Sequence, residues 1–143
     1  MTTYSSVKSQ KTKLFMGTGT GSPETYTLIG GITDIGAPEA STSEIDNTDL
    51  ESDAKEFVAG ITDYGSFTAQ MKYQPNNPVH QDLEELALSH EVRNFRILYS
   101  DGKTKKEFAA FVKSYNPAAA VDGLVKGPLS LRITGVVTTT YPS

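Results

Sequence analysis

Apolar and polar residues alternate cleanly over 66–73, where Phe67, Ala69, Met71 and Tyr73 fall on one side and Ser66, Thr68, Gln70 and Lys72 on the other. A period of two is the signature of a strand with one face buried, so this stretch predicts a β-strand. Residues 94–100 group Phe95, Ile97 and Tyr99 in the same way. Asp101-Gly102 then supplies the turn of a tight hairpin, and 105–115 returns. In that return strand Phe108, Ala110 and Val112 share one face, with Phe111 and Tyr115 expected on the other. Leu129, Leu131 and Ile133 alternate with Ser130, Arg132 and Thr134 in a last strand. Near the start, "TKLFMG" and "TYTLIGGITDIG" read as two more strands, separated by the Gly/Thr/Ser/Pro turn "GTGTGSPET".

One segment has the helical period instead. In "NNPVHQDLEELALSHE" Asn77 is placed to cap and Pro78 to occupy the first turn, where its missing N–H costs nothing. Val79, Leu83, Leu86 and Ala87 then form one apolar stripe, to be laid on a sheet. The pattern as a whole predicts a mainly β domain, a β-sandwich or part-closed barrel with one helix, over 1–143. Residues 44–65, "EIDNTDLESDAKEFVAGITDYG", show neither period and are read as a long loop or arm.

Composition narrows the function more than the fold. A chain of 143 residues buries about two thirds of its unfolded surface, enough for an independent core. It has no cysteine, so disulfides, thiolate zinc sites and thiol catalysis are excluded. No run is long and apolar enough to span a membrane as a helix, and the N-terminal residues carry no signal-peptide core. The net charge of −4 is uneven. Residues 39–63 hold eight acids against Lys55 alone, whereas 71–143 hold nine bases and seven acids. No basic patch of the kind that grips phosphates stands out.

Motifs of catalysis and metal binding do not assemble. His80 and His90 fall on different faces of one helix and are read as polar surface groups, so no shared metal is expected. There is no G-x-S-x-G elbow. "GTGTGS" is followed by Pro23 and a strand rather than by the helix a dinucleotide loop opens, so no cofactor is expected. An EF-hand register begun at Asp49 places Ala54 where glycine is required and Gly60 where a bidentate Glu belongs. The residues give no sign of an enzyme.

The order of these features resembles the major tail tube proteins of long, non-contractile-tailed bacteriophages. The residues that carry the resemblance are "GGITDIGAPEASTSEIDNTDLESDAKEFVAGITDYGSFTAQMKY", "VHQDLEELALSHEVRNFRILYSDG", "FAAFVKSYNP" and "LSLRITGVV", covering roughly residues 12 to 140. A strand leads into an acidic D-x-T-D loop, Gly60-Ile61-Thr62-Asp63-Tyr64-Gly65 restarts the sheet, and the helix and a "DG" hairpin follow. Some members of that family append an immunoglobulin-like domain, which is not expected within these residues.

The resemblance implies a structural virion protein whose subunits form hexameric rings, stacked into the tube through which DNA is ejected into the host. Its location would be the virion tail, with assembly in the host cytoplasm. Partners would be further copies of the chain and the tape measure, tail tip and tail terminator proteins. Double-stranded DNA would pass through a neutral or negative lumen without specific binding. Four strands from each of six subunits would give a barrel about 45–50 Å across its backbone, wide enough for a duplex once side chains are subtracted. The arm would then reach a neighbouring subunit or ring, with Asp46, Asp49, Leu50, Glu51, Asp53, Phe57, Val58, Ile61 and Tyr64 as its interface residues. An alternative from another class is a monomeric β-sandwich binding module for a small ligand or carbohydrate. The aromatic pair Phe111 and Tyr115 suits either reading.

Overall fold

The computed structural model describes residues 6, 10–18, 25–36, 40–119 and 123–142. Within them lie β1 (Lys13–Gly17), β2 (Tyr26–Leu28), β3 (Ile32–Ile35), β4 (Ser41–Asp46), β5 (Phe57–Asp63), β6 (Ser66–Lys72), α1 (Pro78–Ser89), β7 (Arg93–Leu98), β8 (Lys105–Tyr115) and β9 (Lys126–Thr140). Seven strands form one antiparallel sheet in the order β2-β1-β7-β8-β9-β6-β3, while β4 and β5 pair separately. The predicted "GTGTGSPET" turn falls mostly outside the described residues, although Thr18 N–H donates to the Thr25 carbonyl at 3.0 Å and closes that hairpin.

The expected alternation holds in the central strands. Phe67, Ala69 and Met71, Phe95 and Ile97, Phe108, Ala110 and Val112, and Leu129, Leu131 and Ile133 all point to one buried side. Phe108 joins them, its ring centroid 5.6 Å from Phe67 and 6.1 Å from Phe95. Tyr115 corrects the expectation. The β8–β9 register shifts between Val112 and Ser114, which inverts the parity of the last residues of β8. Tyr115 therefore turns into the core, while Phe111 stays on the other face with its ring edge-on to His90, 6.2 Å away.

The stretch expected to be one strand, 25–36, is two. It breaks at Gly30-Gly31, and its halves lie at opposite borders of the sheet. Four Cα steps from Leu28 to Ile32 span at most about 14 Å, yet seven strands laid flat would hold their borders about 29 Å apart. The sheet must curl until its two borders face each other across a narrow seam, which is the part-closed barrel of the two architectures, β-sandwich or part-closed barrel, that the sequence predicts.

Residues 29–31 cross that seam. Ile29 is buried in the core, and its N–H donates to the Leu14 carbonyl of β1 at 2.9 Å. The Gly31 carbonyl receives the Lys72 N–H of β6 at 2.7 Å. Gly31 holds φ at 81°, and a Cβ there would stand 2.8 Å from the Lys72 carbonyl oxygen, so only glycine fits.

α1 begins as predicted, with the Asn77 side chain accepting from Val79 N–H at 3.0 Å and Pro78 next. It ends at His90, whose left-handed backbone (φ 58°) directs its N–H to the Leu86 carbonyl at 2.8 Å. Val79, Leu83 and Leu86 pack inward against the sheet. His80 corrects the surface reading, because it is fully buried. It lies three positions before Leu83 and seven before Ala87, on the apolar stripe itself. Its burial is tolerable because both ring nitrogens are used, Nδ1 by the Gln74 N–H at 3.1 Å and Nε2 by the Gly30 carbonyl at 2.7 Å.

Candidate assembly surface

Residues 44–65 are not an aperiodic loop. Most of them belong to a two-stranded hairpin with Ser41 opposite Asp63, Glu44 opposite Ala59, Ile45 opposite Val58 and Asp46 opposite Phe57, and a register shift between Thr42 and Glu44. A strand shows a period of two only where one of its faces is buried. Here every described residue of β4, and all of β5 except half-buried Gly60, is exposed, so no period was imposed.

The connection from 47 to 56 is held by its own polar groups. The Asp46 carboxylate accepts Thr48 N–H at 2.9 Å, which with the Thr48 hydroxyl keeps its pKa below the usual carboxylate value. Asp49 accepts Glu51 N–H at 3.0 Å and the Ser52 hydroxyl at 3.1 Å. The Thr48 hydroxyl receives Glu56 N–H at 2.8 Å, and Asn47 N–H reaches the Glu56 carbonyl at 2.8 Å. Side chains that mimic backbone turns thus shape a tip with no core beneath it.

The root of the arm is fastened to the barrel. Asp63 accepts from Arg132 Nη2 of β9 at 2.9 Å and from Gly65 N–H at 2.8 Å. The Arg132 hydrogen bond first, and then the Gly65 amide, lowers the Asp63 pKa. Gly65 returns its carbonyl to Ile133 N–H at 3.0 Å. The arm is therefore anchored at one end and bare along its length.

Of the nine residues expected at an interface, eight lie on this arm. Asp46 and Phe57 sit side by side on one face, and Val58 shares the opposite face with Ile45. Asp49, Leu50, Glu51 and Asp53 occupy the tip, where Leu50 is fully exposed. Ile61 is 88% exposed. Tyr64 is separate, half-buried against the barrel core below the root. Sequence reasoning missed Ile45, whose signal was its place as the one apolar residue in "STSEID", and Arg132, which only the pairing of β9 with β6 brings to Asp63.

Five large apolar side chains thus stand exposed on one small hairpin: Ile45, Leu50, Phe57, Val58 and Ile61. A two-stranded ribbon is marginal in water by itself. A patch of this kind, ringed by Glu44, Asp46, Glu51, Asp53 and Glu56, is the mark of a surface to be covered by another molecule.

Comparison with known proteins bears on what covers it. The family described as phage tail tube, TTP, lambda-like, matches residues 5–142. A relative named "Structural protein 3" of Pseudomonas phage PAJU2 is 31% identical over 98 residues, a stretch spanning 67% of this chain and 57% of that protein. The tail of an empty gene transfer agent particle, a structure of C6 symmetry, superposes with a TM-score of 0.70 at 16% identity, covering 90% of this chain and 96% of that one. The tail tube of phage SPP1 superposes with a TM-score of 0.71 at 14% identity, covering 94% of this chain and 79% of that one. At these identities the two structures establish likeness of fold.

Proposed function

Because this chain belongs to the lambda-like phage tail tube family, and is thus a structural protein of the virion tail, we propose that its copies close into six-membered rings that stack into a hollow conduit for DNA. The arm carries this reading. It presents Ile45 and Val58 on one face and Phe57 on the other, and among the described residues β4 and β5 pair only with each other. Head-to-tail contacts between identical subunits close into a ring when the rotation per copy allows it. The sixfold symmetry of the gene transfer agent tail supports six copies per ring.

In this reading the chain performs no chemistry. Its acids keep the arm solvated before assembly, and its apolar residues, Phe57, Val58 and Ile61 among them, dock on a neighbouring copy. Tape measure, tip and terminator proteins set the length and close the ends, and duplex DNA passes without being held. Electron microscopy of the purified protein, concentrated and seeded with tail tips, tests this. Hollow tubes of uniform width with sixfold end views are expected. Particles that remain single at every concentration, seeded or not, overturn the reading.

A further inference from the structure

The strand register places a second surface at the corner where β1, β7 and β8 meet. Lys13 lies opposite Leu98, and Leu98 lies opposite Lys105, so two lysines flank one leucine on the same outer face. At the usual strand spacing their Cα atoms are about 10 Å apart. Two residues along β1, Phe15 extends the apolar strip, with Leu28 opposite it and 45% exposed.

This corner is basic. Lys11 and Lys103 lie two residues along the chain from Lys13 and Lys105, and the carboxylates of Glu107 and Asp101, next to them in the chain, are already engaged. Glu107 accepts from Arg96 Nη2 at 3.1 Å. Asp101 accepts the Lys103 and Thr104 N–H groups, both at 2.9 Å, and the Thr104 hydroxyl at 2.7 Å.

The arm carries the inverse pattern. Glu44 lies opposite Ala59, and Asp46 opposite Phe57, so acid and apolar groups share one face of the hairpin. Like charges set together repel, whereas an acid–apolar face laid on a base–apolar face satisfies both. We infer that the Glu44–Asp46–Phe57 face of one copy's arm docks on the Lys13–Leu98–Lys105 corner of a second copy. This rests on the proposed self-assembly and names the surface that receives the arm. Screening of the steering charges by salt then weakens the contact.

Paired charge reversals test it. One variant carries Glu44→Lys and Asp46→Lys, the other Lys13→Glu and Lys105→Glu, of which only Lys105 is half-buried, with circular dichroism melting to verify that each is folded. Each variant alone is expected to need at least a tenfold higher concentration than wild type to form tubes. Mixed in equal amounts they assemble near the wild-type concentration, because each reversed arm meets a reversed corner. For wild type, the concentration needed rises as salt goes from about 50 to about 300 mM. The inference is overturned if wild type assembles while the mixture does not, if either variant assembles like wild type, or if salt leaves the threshold unchanged. Failure of wild type itself to assemble, by contrast, removes the self-assembly reading and this inference with it.

Discussion

His80 Nε2 lies 2.7 Å from the carbonyl oxygen of Gly30, a residue fifty positions earlier in the chain. Gly30 sits in the short link between the two borders of the curled sheet, and His80 opens the helix that packs inside it. The contact therefore fixes the seam to the core. The Gln74 backbone N–H can only donate, so the Nδ1 it approaches must be the acceptor and the ring proton must sit on Nε2. The Tyr115 hydroxyl, 3.4 Å from the same Nδ1, has its proton free for that side.

Replacing His80 by Ala leaves the Gln74 N–H and the Gly30 carbonyl without partners and opens a void beside Tyr115. An unpaired buried polar group costs about 1–3 kcal/mol, so His80→Ala is expected to lower stability by roughly 2–5 kcal/mol in urea unfolding. Nitrogen-15 spectra of the wild-type ring at neutral pH should report the Nε2–H tautomer. The opposite tautomer, or a stability loss below about 1 kcal/mol, is incompatible with the seam as described.

Alkaline pH should loosen the same region. Burial first, and then the nearby charges of Glu84 and Tyr73, push the Tyr115 pKa up to about 12, against about 10 for a free tyrosine. The folded state thus favours the protonated phenol. Its contribution is complete below pH 10, declines as pH rises from about 10 to about 12, and levels off above that. Melting temperatures of wild type and Tyr115→Phe, measured across pH 9 to 12, should diverge in slope over that window. Parallel curves would rule out this coupling.

The central strands and the helix were legible because burial of one face writes a period into the sequence. Where that condition fails, so does the reading. The arm has no buried face, so Ser41–Asp46 and Phe57–Asp63 carry no alternation to find. Tyr115 lies on the side opposite to the one its parity predicts because one shift of register beyond Val112 reverses that parity, and register belongs to a pair of strands rather than to either alone. The split at Gly30-Gly31 was present as two adjacent glycines within a strand, which does suggest a break. That the two halves part to opposite borders, however, results from the closing of the whole sheet. The expected interface residues clustered because all but Tyr64 belong to one continuous segment, while Arg132 came to Asp63 through space.

Acid should act at the root of the arm. Asp63 is held below its ordinary pKa by the Arg132 hydrogen bond and the Gly65 amide, so the ionised carboxylate is the form the folded state prefers. That preference is present above the unfolded value, near pH 4, and is lost as pH falls through the lower folded value. Because the pair is exposed, the effect is expected on local opening rather than on global stability. Hydrogen exchange at Gly65, corrected for its intrinsic pH dependence, should speed up at low pH in wild type. In Arg132→Gln it should be faster already at neutral pH. Equal protection in both proteins at pH 7 would mean that the barrel holds the root without this pair.

Removal of the arm separates folding from assembly. Among the described residues the hairpin buries nothing in the barrel core: the core runs from Leu14 through Ile133 without a residue of β4 or β5. Replacing residues 45–58 by Asn-Gly, which closes a two-residue hairpin with Glu44 still opposite Ala59, shortens a surface excursion and leaves every core contact in place. Its effect on unfolding free energy is therefore expected to stay within about 1 kcal/mol, since shortening a loop changes closure entropy only slowly. Its effect on assembly should be total if the arm supplies the contact between copies, because Leu50, Phe57 and Val58 leave with it. Sedimentation and electron microscopy of the truncated protein decide the matter. A well-folded barrel that forms no tubes assigns the contact to the arm. Tubes formed at the wild-type threshold would move the contact to the sheet borders, where β2 and β3, at three and four residues, offer the remaining open edges of the seven-stranded sheet.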